Sequence, residues 1–81
     1  MFDMKQCRVG DLLVSKHGMI FVYEGENGQI DYPHQVRYPN GGRGTRCNDG
    51  SVYRYNKRDT DHDIIAFAND YYKNILFGDD L

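Results

Sequence analysis

Leu12-Leu13-Val14-Ser15-Lys16-His17-Gly18-Met19-Ile20-Phe21-Val22-Tyr23 is the stretch from which the architecture follows. Its two apolar runs, Leu12–Val14 and Met19–Tyr23, are too short for helices, and the second is rich in the β-branched and aromatic residues that fit a pleated surface. His17-Gly18 separates them, with glycine free to take the positive φ that a tight turn needs. The stretch predicts a β-hairpin entered through the turn Val9-Gly10-Asp11. A strand alternates its faces, so Met19, Phe21 and Tyr23 share one side and Ile20 and Val22 the other. Ile20 and Val22, with Leu13 and Ile65, are expected to point inward.

Outward from the hairpin the pattern stays β-like. Glu24–Gln29 predicts a loop, and Pro33 holds Tyr32 in extended geometry ahead of a strand over His34–Tyr38. Pro39-Asn40-Gly41-Gly42 predicts a turn, Gly44–Cys47 a short strand, Asn48-Asp49-Gly50 another turn, and Ser51–Tyr55 a fifth strand. Asp63–Phe67 closes the series. The period then changes: Ala68, Tyr71, Tyr72, Ile75 and Leu76 fall on one helical face, and Gly78 follows, which predicts a helix over about 69–77 docked on the strands. The tail 78–81 is expected to fray. Five or six short strands with turns about every ten residues, capped by one helix, predict a mainly β protein, a small antiparallel barrel over about 8–67.

The chain has 81 residues, of which 40% are hydrophobic and 27% charged, which predicts a single globular domain over 1–81. Its longest apolar stretches are far shorter than the roughly 18 residues a membrane helix needs. The N-terminus has no basic region followed by an apolar one. A cytoplasmic location with no membrane partner is expected, and Cys7 and Cys47 are expected to be free thiols. The formal charge of −2 hides an uneven distribution. Residues 1–34 sum to −2, residues 35–58 to +5 and residues 59–81 to −5. Such asymmetry bears on partners more than on fold.

The order of segments Val9-Gly10-Asp11-Leu12-Leu13, Tyr32–Tyr38, Asn40-Gly41-Gly42, Asn48–Tyr53 and Asp61–Phe67 resembles that of short bacteriophage and prophage proteins with an SH3-like β-barrel. The resemblance spans about 9–67 and implies an SH3-like barrel of phage origin. The chain departs from that pattern in having no Trp and in its added C-terminal helix. Most proteins of this kind have no assigned activity, so the resemblance implies no mechanism.

The residues themselves bear on several chemistries. Cys7, Cys47, His17, His34 and His62 are ligand types without the close pairing of a zinc site. Asp59, Asp61, Asp63 and Asp70 mimic a calcium loop, but Ile64 stands where its glycine is required, so no metal or other cofactor is expected. No nucleophile and base are spaced to favour catalysis. The run Asn40–Arg46 could cradle an anion with its glycines and arginines, but lacks the Gly-Lys-Ser/Thr of a P-loop; a glycine-rich hairpin turn is the simpler interpretation.

Tyr32, Arg37, Arg43, Arg46, Tyr53, Arg54 and Tyr55 interleave basic and aromatic side chains, the mixture that dominates protein interfaces and that also holds single-stranded nucleic acid. The pI of about 5.8 lies well below that of dedicated nucleic-acid domains. The sequence therefore predicts a non-enzymatic protein that binds a host or phage protein through these seven residues and inhibits or modulates it. A nucleotide or single-strand nucleic-acid binder using the same strip is the alternative.

Overall fold

The computed structural model describes residues 2–53 and 60–77. Five strands, β1 (Leu12–Ser15), β2 (Ile20–Glu26), β3 (His34–Arg37), β4 (Arg43–Arg46) and β5 (Ile64–Phe67), precede one helix, α1 (Ala68–Phe77). They form one antiparallel sheet in the order β4-β3-β2-β1-β5. The protein is mainly β with a short C-terminal helix, as the sequence predicts.

The opening hairpin forms where expected. Gly18, at φ +84°, donates its N–H to Ser15 O at 2.9 Å, and Ser15 N donates to Met19 O at 2.9 Å. The Ser15 hydroxyl accepts Met19 N at 3.2 Å, so one side chain and one glycine set the turn. β2 runs on to Glu26 where a loop was expected, with a bulge between Tyr23 and Gly25.

The core lies on one side of the sheet. Met4, Leu13, Phe21, Tyr23, Val36 and Ile64 are buried together, with Phe2, Cys7, Met19, Tyr38 and Phe67 packed around them. This reverses the expected facing of β2: Phe21 and Tyr23 point inward, and Ile20 and Val22 lie half-buried on the other side. Both faces of this strand are apolar, so hydrophobicity does not choose between them; the inner face takes the bulkier aromatic pair. Leu13 is inside as predicted. In β5 it is Ile64, and not Ile65, that enters the core, because a register shift opposite Val14 and Ser15 displaces the strand by one residue.

The outer face is covered at one end. Val14 points away from the core and is nonetheless fully buried, because α1 packs back over β1 and β5. Ala68 is buried, Tyr71 is half-buried, and the Tyr72 hydroxyl donates to Gly18 O at 2.8 Å. Ile75, expected in the docked face, is 59% exposed. A 3-10 turn at Met4–Gln6, not foreseen, seats Met4 in the core and joins Asn48 through Met4 N at 2.8 Å.

The sheet edges β4 and β5 approach one another through side chains and turns, with no ladder between them among the described residues. Ile64 N donates to Gly50 O at 2.8 Å, and Arg46 Nε to His62 O at 3.0 Å. The predicted strand Ser51–Tyr55 does not form over Ser51–Tyr53, where the chain turns instead: Cys47 N bonds to Ser51 O. Its last two positions lie outside the described residues, as do the expected frayed tail 78–81 and part of the basic segment.

Candidate interaction surface

Strand register places four side chains in one row across the outer face. Leu12 pairs with Val22, Val22 with Arg37, and Arg37 with Arg43. Facing partners in neighbouring strands project to the same side, so the row passes from an apolar end to a basic one. Leu12 is 50% exposed, Val22 is half-buried, and the Arg37 and Arg43 side chains are 49% and 62% exposed. Gln35 and Thr45 form the adjacent pair.

Glu24, at the β2 bulge, organises the basic end. Its carboxylate accepts Arg37 Nη2 at 2.6 Å and Nε at 2.9 Å, lies 3.2 Å from Arg43 Nε, and accepts Gln35 Nε2 at 3.3 Å. The Gln35 hydrogen bond, followed by those from Arg37 and the charges of Arg37 and Arg43, holds the Glu24 carboxyl below its usual range. Two guanidinium groups thus share one carboxylate. Gln35, Arg43, Gly44 and Thr45 line a depression of about 270 Å³ at the β4 edge.

Arg46 does not join this surface. It is 1% exposed, and its guanidinium donates to His62 O, Thr45 O and the Tyr38 hydroxyl at 2.8 to 3.0 Å. It also lies over the rings of Phe21 and Tyr38, at 5.2 and 5.4 Å. Among the described residues no carboxylate pairs with it. Carbonyls and aromatic faces offset its desolvation. Gly44 makes room for this stack, since a Cβ there would stand 2.9 Å from Tyr38 Cε1 and 3.1 Å from Arg46 Nη1.

The histidines serve structure. Buried His34 joins the Tyr23 hydroxyl at Nδ1 and the Asn48 side-chain oxygen at Nε2, at 2.7 and 2.8 Å. The Asn48 oxygen can only accept, so Nε2 carries a proton. Burial, above all, raises the Tyr23 phenol above its ordinary value. His62 meets the Tyr38 hydroxyl at 3.2 Å, and His17 pairs with Asp61 at 2.5 Å.

Among the other predicted site residues, Tyr32 is half-buried in the β2–β3 loop, its carbonyl accepting from Asn27. Tyr53 is 40% exposed and lines a separate depression of about 290 Å³ with Val52, Thr60, Asp61 and His62. Arg54 and Tyr55 lie outside the described residues. The structure therefore brings together Arg37 and Arg43, leaves Tyr32 and Tyr53 elsewhere, and buries Arg46. Leu12, Val22, Glu24 and Gln35 join the site, which only the cross-strand register reveals.

The remaining reactive groups among the described residues are bonded within the fold or held unreactive. Asp63 accepts from Val52 N at 2.9 Å and from the Thr60 hydroxyl at 2.8 Å, so its carboxylate closes a loop. Burial, then Asp11 and Asp3, push the Cys7 thiol up to about 11, opposite to what an activated thiolate needs. Cys47 is a buried free thiol. Among the described residues, no group of three His, Cys, Asp or Glu side chains is placed to hold a metal, and no helix is long and apolar enough to cross a membrane. Comparison with protein-family models, curated proteins and solved structures gave no match to this chain.

Proposed function

We propose that this is a non-enzymatic binding protein that occupies a surface of another protein, inhibiting or modulating it, through the outer face of β1–β4. The observation that carries this is the Leu12–Val22–Arg37–Arg43 row: a solvent-open apolar end continuous with two half-exposed arginines. Interfaces concentrate binding energy in such combinations of apolar contact and arginine. On the resemblance in segment order to short phage and prophage proteins, a host or phage protein in a bacterial cytoplasm is the partner to seek first. Nucleic-acid binding has less support, because among the described residues of the basic segment Arg46 is internal and Arg37 and Arg43 share Glu24.

The test is retention of a partner from nuclease-treated bacterial lysate by the wild-type chain and by a Leu12→Glu, Arg37→Ala variant with an unchanged circular dichroism spectrum. Loss of the partner in the variant is expected. Binding of a single-stranded oligonucleotide at micromolar concentration and physiological salt, abolished by Arg37→Ala with Arg43→Ala, would reverse the conclusion. That binding would also show a log–log salt slope of about −0.7 per phosphate contact, whereas salt acts on a protein interface mainly through the association rate.

A further inference from the structure

We infer that the edge of β4, which carries no ladder among the described residues, receives an acidic extended segment of a partner protein, paired to it as an added strand; this rests on the protein-binding function proposed above. Three features coincide there. The first is the state of the backbone. Tyr38 N donates to Gly42 O at 2.7 Å, which marks that pair as hydrogen-bonded. The β3–β4 register runs on without a shift, so the bonded pairs alternate and Val36–Gly44 and His34–Arg46 are the next two. Arg43 and Thr45 therefore turn their N–H and C=O groups away from β3, toward the edge.

Of those four groups, Thr45 C=O is taken by Arg46 Nη1 at 2.8 Å. Arg43 N–H, Arg43 C=O and Thr45 N–H have no partner among the described residues. They fall at i and i+2, the spacing at which an antiparallel neighbour offers its own groups.

The second feature is charge. Arg37 and Arg43 hold a single carboxylate between them, so among the described residues the outer side of this edge carries one positive charge in excess. A strand residue facing Arg43 as a bonded pair projects to the same outer side, with Cα atoms about 5.5 Å apart. A Glu or Asp at that place meets the guanidinium. The third feature is shape: the depression lined by Gln35, Arg43, Gly44 and Thr45 opens at this stretch. A short charged edge is also how sheets avoid aggregation. Backbone groups without a partner among the described residues, beside one excess positive charge, are what select an acidic strand.

The probe is a capped six-residue peptide alternating Glu and Val, compared with its Lys–Val counterpart and with a version N-methylated on its β4-facing amides. Titration into the labelled protein should slow hydrogen exchange of the Thr45 amide. Reversing the peptide charge should weaken binding by roughly tenfold or more, and N-methylation should abolish it. Thr45→Pro removes the outward N–H and leaves the β3-facing bonds in place, so it should abolish binding with the fold retained. Equal binding of the Lys–Val or N-methylated peptide, or no binding of the Glu–Val peptide at millimolar concentration, would overturn the inference. Dimerisation lost in Thr45→Pro would overturn it in favour of a second copy. A lysate partner kept by Thr45→Pro but lost by the Leu12→Glu, Arg37→Ala variant would defeat the edge pairing alone; a partner kept by both variants would defeat the parent proposal as well.

Discussion

Arg46 and Arg43 sit three positions apart in a strand of four, yet one is core and the other surface. The alternation of a strand sends Arg43 and Thr45 outward, Gly44 and Arg46 inward, and Gly44 leaves the space that the inward guanidinium and Tyr38 fill. Gly44→Ala should therefore disturb the Arg46–Tyr38 stack at a backbone conformation that alanine otherwise tolerates, lowering stability by about 1–3 kcal/mol in urea unfolding. Glu24 gives a pH-dependent counterpart. Its carboxyl titrates lower in the folded chain than in the unfolded one, so its contribution is complete above the ordinary carboxylate range and is lost as pH falls through the folded value. Melting temperature should decline between about pH 5 and pH 3, and Glu24→Gln should remove part of that decline.

At the scale of elements, the positions of β1 to β5 and of the helix were legible because turn residues and apolar runs are local signals, whereas the strand expected from Ser51 does not form over Ser51–Tyr53 and the spatial order of the strands was not read from the sequence. Gly18, Gly41 and Gly50 all take the positive φ their turns implied. The facing of β2 was not legible. Ile20 and Val22 are as apolar as Phe21 and Tyr23, and only the tertiary partners, Val14 beneath α1 on one side and the His34–Asn48 pair on the other, settle which face is core. The site was half legible for the same reason: Arg37 and Arg43 are visible as residues, but their meeting with Glu24 depends on a bulge that sequence does not announce. The helix can be tested directly. Ending the chain after Phe67 uncovers Val14 and should cost at least about 2–3 kcal/mol, whereas Ile75→Ser, at a position open to solvent, should change stability by less than about 0.5 kcal/mol.

For the whole molecule, the decisive junction is where the two sheet edges meet. Gly50 lies at φ +87°, and a Cβ there would fall 2.2 Å from Ile64 O. Gly50→Ala therefore combines backbone strain with a steric clash and should cost about 2–4 kcal/mol by chemical denaturation. The same junction divides the fold in time. β1 to β4 are consecutive hairpins that close over a few residues each, but β5 must find β1 across roughly fifty residues, and so carries most of the loop-closure entropy. The four-strand meander can assemble first, with β1 as a temporary bare edge until β5 and α1 arrive. Damage at Gly50 should then appear chiefly as faster unfolding with little change in the folding rate. The interval before β5 docks is when the chain is most exposed to aggregation through β1.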